Sequence, residues 1–107
     1  MLSVEPLCAA SDLAEGQAKG FAARGVFALR FKGSFHAYVD ACPHYGDTPL
    51  AWRTNAYLNA DGTRIVCAAH GAQFEPDTGL CVLGPCLGQS LRSVPVALNA
   101  GGYLVML

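Results

Sequence analysis

Charge is scarce in this chain: only 14% of its 107 residues are charged, seven basic and eight acidic, scattered rather than gathered into a run. With no basic stripe to neutralise phosphates, nucleic acid is excluded as an expected partner. Long apolar runs are missing too. None reaches the roughly 18 residues of a spanning helix, so no membrane segment is expected. Residues 1–10 lack a basic stretch ahead of a long apolar core, so neither a secretory nor a twin-arginine signal is read there. No Ser-His-Asp array, phosphate-cradling loop or dinucleotide fingerprint is present, and these absences argue against a self-contained enzyme. Five cysteines are an odd number, and no disulfide framework suggests itself, which fits a reducing cytoplasm.

Glycine and proline are plentiful, twelve and six, and the apolar runs between them are short and rich in Val, Phe, Tyr and Leu. This punctuation predicts an all-β fold built as one domain over 1–107. Strands are expected at 4–8, 20–23, 25–32, 35–40, 64–67, 72–75, 80–83, 91–98 and 103–107. Gly33 and Ser34 are read as the turn of a hairpin between 25–32 and 35–40. Further turns are expected at 76–79 and 99–102, and residues 11–16 as a polar loop. Short strands at this spacing suggest an antiparallel sandwich or barrel.

The first of these hairpins delivers the chain to Cys42, Pro43, His44, and the strand at 64–67 ends in Cys67, Ala68, Ala69, His70. A Cys-x-His and a Cys-x2-His are thus separated by 22 residues. Two thiolates and two imidazoles split over two loops can hold a [2Fe-2S] cluster, with both cysteines on one iron and both histidines on the other. Gly46 and Gly71, just past the histidines, allow the tight turns that such loops need. A single zinc on the same four residues is the alternative, although zinc sites more often pair Cys-x2-Cys with His-x3-His. His36, with no cysteine nearby, is expected to be a surface or core residue. Cys8, Cys81 and Cys86 are expected to be small buried hydrophobes.

These residues resemble the Rieske iron-sulfur domain, and the resemblance covers nearly the whole chain. Residues 67–74 resemble that family's second cluster loop, 76–79 the following turn, and Gly84 and Pro85 the proline loop over the cluster. Residues 11–16 look like a segment near the start of small Rieske ferredoxins. The resemblance implies an antiparallel β framework with a small inserted cluster-binding subdomain at about 41–86. It further implies one [2Fe-2S] cluster held by Cys42, His44, Cys67 and His70, the cysteines on the inner iron and the histidines on the outer one near the surface.

Departures from the family pattern carry information. In cytochrome bc-type Rieske proteins an extra cysteine in each cluster loop forms a disulfide, and the corresponding positions here are Asp47 and Ala69. Those proteins also carry a serine and a tyrosine whose hydroxyls donate to sulfur, where this chain has Ala72 and Phe74. Reduction adds negative charge, which donors stabilise, so their loss predicts a potential of roughly −150 mV, at the low end for such clusters. The stretch 52–62 lengthens the gap between the ligand loops. It is read either as a partner-recognition flap or as an insertion packed down by Trp52 and Tyr57.

The expected function is that of a one-electron carrier, a Rieske-type ferredoxin taking electrons from a flavin reductase to a terminal oxygenase. An alternative is a small subunit of a larger redox enzyme, such as assimilatory nitrite reductase. An oxygenase fragment would need a mononuclear-iron catalytic domain that 107 residues do not contain. The expected carrier is cytoplasmic and monomeric, with activity limited to electron exchange.

Overall fold

The computed structural model describes residues 6–41, 55, 57–67 and 71–107. Among the described residues, nine short strands make three antiparallel sheets of three strands each. β1 (Cys8–Ala9), β9 (Tyr103–Met106) and β8 (Val96–Leu98) form one; β2 (Ala18–Phe21), β3 (Val26–Phe31) and β4 (Ser34–Val39) the second; β5 (Ile65–Cys67), β6 (Ala72–Phe74) and β7 (Cys81–Leu83) the third. The helical elements among the described residues are two single 3-10 turns, Ala10–Asp12 and Ala22–Arg24. The all-β antiparallel expectation therefore holds. The third sheet is drawn entirely from chain lying between the strands of the other two.

The middle sheet explains why β3 is so apolar. Phe27 and Leu29 enter one core, shared with Ile65, Cys67, Phe74 and Leu91. Ala28, on the opposite face, enters a second core with Cys8, Leu13, Ala37 and Leu104. A strand covered on both faces has no solvent side, so every second residue need not be polar. The amide of Val39 donates to the Arg92 carbonyl and that of Val94 to the Ala37 carbonyl, both at 2.9 Å, which ties β4 to the segment leading into β8.

Several boundaries move from their expected places. The hairpin turn is Lys32–Gly33, one residue earlier than the Gly33–Ser34 read from sequence, because Phe31 pairs with Ser34. Both turn residues have positive φ, 52° and 80°. A lysine accepts that conformation here because Glu15 grips the turn: its carboxylate accepts from the amides of Lys32 at 2.5 Å and Gly33 at 2.8 Å. The strand expected at 20–23 starts earlier and turns into a 3-10 turn at Ala22. In the stretch 91–98 only Val96–Leu98 is a named strand, and Ser93 contributes an isolated bridge to Tyr38; Pro95 between them has no amide to extend the ladder. Of 4–8, residues 4 and 5 lie outside the described residues, and the strand that forms is Cys8–Ala9. The turns at 76–79 and 99–102 form as expected, closed by Gly79 N–H to Glu75 O at 2.8 Å and Gly102 N–H to Asn99 O at 3.0 Å.

The two amides on Glu15 favour its charged form and hold its carboxyl below the usual glutamate range. The unfolded chain therefore binds this proton more readily than the folded one, and the contribution present above the ordinary glutamate pKa disappears as pH falls through the lowered value. Denaturant titrations across the acid range should show stability declining with pH, with a shallower decline in Glu15→Gln. Identical slopes in the two proteins would remove this role from Glu15.

Candidate metal centre

Of the four sequence-derived ligands, Cys67 lies among the described residues, and Cys42, His44 and His70 lie outside them. Asp47, Ala69, Gly46 and Trp52 lie outside as well. Cys67 is the last residue of β5 and is 0% exposed. It stands opposite Ala72, the first residue of β6, with Ile65 opposite Phe74. Alternation then sends Cys67, Ala72 and Phe74 to one buried face while Gln73 points the other way. The Gly71 amide donates to the Cys67 carbonyl at 2.8 Å. Gly71 has φ 70°, the left-handed conformation expected of it.

A second wall comes from residues 84–88. Gly84 has φ 107°, and a Cβ built there would stand 2.7 Å from Ala72 Cα. The loop thus rests on the backbone of Ala72, the first residue of β6. Beside it, Leu83 and Leu87 are 55% and 67% exposed, an apolar rim that hydrophobic periodicity did not single out.

The insertion is fastened where it is described. Tyr57 stacks on Phe27 with ring centroids 4.3 Å apart and an interplanar angle of 6°, and its hydroxyl donates to Asp40 Oδ2 at 2.7 Å. Burial and that carboxylate push the phenol pKa well up. Asn55 accepts from the Gly20 amide at 2.8 Å, and Gly20 leaves room for the Tyr57 hydroxyl that a larger residue would occupy. The packed reading of 52–62 is therefore supported at Asn55 and Tyr57. From the other side, Tyr38 donates to Pro76 O at 2.9 Å, and its phenol pKa is raised to about 12, chiefly by burial. His36 is half-buried in β4, and Cys8, Cys81 and Cys86 are buried as expected. Burial pushes the Cys8 thiol pKa up.

The Rieske [2Fe-2S] domain family matches this chain over residues 3–97. The chain belongs to that family. A curated relative, the ferredoxin component of the alkene monooxygenase system of Xanthobacter autotrophicus, is 30% identical over 103 residues, covering 92% of this chain and 77% of its own length. The ferredoxin of carbazole 1,9a-dioxygenase from Nocardioides aromaticivorans superposes with a TM-score of 0.74 at 21% identity, covering 98% of this chain and 97% of that one. A chain from a complex of reduced oxygenase and oxidised ferredoxin in carbazole 1,9a-dioxygenase gives a TM-score of 0.72 at 28% identity, covering 96% and 100%.

Membership in the Rieske family implies a [2Fe-2S] cluster, and Cys67, the proposed ligand among the described residues, suits one. A thiol at a strand end, withdrawn from water, with small residues at 72 and 84 beside it, suits an anionic ligand on a compact inorganic group. What the sequence missed is how closely Gly84 seats on Ala72. Gly84→Ala places a methyl against Ala72 backbone and strains a positive φ, at a cost of about 1–3 kcal/mol. Its purified protein should lose the visible iron-sulfur absorption several-fold faster than wild type on mild heating; an equal rate would show that the contact of the loop with β6 does not secure the site.

Proposed function

We propose that this Rieske domain carries one electron at a time from a flavin reductase to a terminal oxygenase, as a single domain over 1–107 with a cluster-binding part at about 41–86. The chief support is the 30% identity over 92% of the chain to the ferredoxin component of an oxygenase system. The chain is an electron-transfer component rather than the catalyst of an oxygenation. Cys42, His44, Cys67 and His70 are its proposed ligands, for one [2Fe-2S] cluster per chain. That cluster, when bound, supplies a one-electron couple, neutral when oxidised and singly negative when reduced.

The chain's own residues set the conditions for that couple. Cys67 brings its thiolate into a core that excludes water. Ala72 and Phe74, on the same buried face, present carbon and no hydroxyl. Leu83 and Leu87 offer exposed apolar surface next to the proline loop, suited to a small and transient redox contact. The weak net charge of −1 gives little long-range steering, so recognition rests on local shape and apolar contact. The proposed location is the cytoplasm, the proposed state a monomer, and neither nucleic acid nor membrane is a proposed partner. No helix among the described residues is long and apolar enough to cross a membrane.

Anaerobically purified protein should contain two irons and two sulfides per chain, be reduced by a flavin reductase and be reoxidised by a terminal oxygenase in stopped-flow mixing. Colourless protein holding stoichiometric zinc, or failure of oxygenase to reoxidise it, would overturn the reading. Its midpoint potential is expected at roughly −150 mV. Ala72→Ser and Phe74→Tyr should each raise it by roughly 65–130 mV, the equivalent of ~1.5–3 kcal/mol for a hydrogen bond to a charged acceptor. A midpoint above zero in the wild-type protein would contradict the missing-donor argument.

A further inference from the structure

Eight of the ten residues at 81–90 are exposed, and the two that are not are Cys81 and Cys86. Their exposures are 2% and 0%, and their sulfurs lie 3.2 Å apart, with the Cys86 thiol donating to Cys81 and the Cys81 thiol donating to the Leu83 carbonyl at 3.3 Å. The exposed turn at 84–88 is therefore held to the core from beneath by a pair of touching thiols. Both remain reduced in this structure. A disulfide needs the sulfurs at about 2.05 Å, so closure asks for a movement of about 1 Å within a glycine-containing turn.

We infer that Cys81 and Cys86 form an oxidisable dithiol whose substrate is a small peroxide, closing to a disulfide that pins the 84–88 turn to β7. The Cys81 sulfur, on strand β7 and in contact with the Cys86 sulfur, is the first nucleophile. It attacks one peroxide oxygen; the S–O bond forms, the O–O bond breaks, and the departing hydroxide takes up the Cys81 proton as water. The Cys86 sulfur then attacks the Cys81 sulfenic acid; the S–S bond forms, the S–O bond breaks, and the hydroxide released leaves with the Cys86 proton as a second water. Two thiols lose two electrons and two protons, and hydrogen peroxide gains them.

Geometry favours the bridge over deeper oxidation. The resolving thiol is already in contact, so the second step is intramolecular and proceeds before a second peroxide arrives. Access requires only local opening of a turn whose other residues face water, an opening of the low-energy kind. A bulky disulfide oxidant would have to displace Leu83 and the turn together, which is why the substrate is a small peroxide. Cys8, buried in the other core, has neither feature and serves as an internal reference. The bridge is also separate from the ligand assignment, since neither residue is a proposed ligand.

Cluster-loaded protein is exposed to stepwise hydrogen peroxide, denatured, alkylated and mapped by peptide mass spectrometry, with visible absorption followed in parallel. The expected result is loss of two alkylation sites, mapped to a Cys81–Cys86 bridge, while Cys8 stays alkylatable and the absorption persists; excess dithiol restores both sites. Sulfinic acid at either residue, a bridge involving Cys42 or Cys67, or bleaching before any Cys81–Cys86 bridge appears would overturn the inference. Cys81→Ala and Cys86→Ala should each abolish the bridge and leave the partner cysteine alkylatable after reductive treatment. Mapping of the wild-type protein decides the matter even where a variant fails to fold.

Discussion

Everything at the candidate centre depends on the register of the β5–β6 hairpin. Pairing Cys67 with Ala72 and Ile65 with Phe74 fixes which side chains face the core. A slip of one residue would turn Cys67 toward the other face and bring Gln73 inward, exchanging a buried thiol for a buried amide. The Gly71 amide on the Cys67 carbonyl pins this register at the loop, and the aromatic side chain of Phe74 secures it from within the core. The position of Cys67, a proposed ligand, is therefore a consequence of strand pairing rather than of the loop alone.

That hairpin would be marginal in isolation, because two three-residue strands bury too little on their own. The middle sheet supplies the opposing surface: Phe27 and Leu29 reach the same core, and Tyr57 is clamped between Phe27 and Asp40. Tyr38 fastens the same sheet to Pro76, in the turn just after β6. The long gap between the ligand loops thus includes a structural brace at Tyr57. Its two polar anchors, Asp40 and the Asn55 contact to Gly20, lie far from it in sequence or on another strand, and no local pattern announces them.

Much was legible because it is local. The β3–β4 hairpin, the turns at 76–79 and 99–102, and the arrival of β5 at Cys67 follow from period-two patterning and turn residues. The Lys32–Gly33 turn was misplaced by one residue because its determinant is Glu15, distant in sequence, and not any residue of the turn. β3 hid its double coverage because alternation of Phe, Ala, Leu and Arg looks the same whether the second face meets water or a second core. The contact between Cys81 and Cys86 was invisible as well. Spacing places them on either side of Gly84 and Pro85, and only the folded turn shows that the chain doubles back far enough for the sulfurs to touch.

The absence of a hydroxyl at position 72 has a packing cause as well as an electronic consequence. A Cβ at Gly84 would stand 3.2 Å from the Ala72 Cβ and 2.7 Å from its Cα, so the two positions are sized against each other. A small residue at 72 lets the 84–88 turn settle onto β6. The contact therefore ties the 84–88 turn to the strand that pairs with the one carrying Cys67. The packing that brings the turn onto β6 is continuous with the core that buries Cys67.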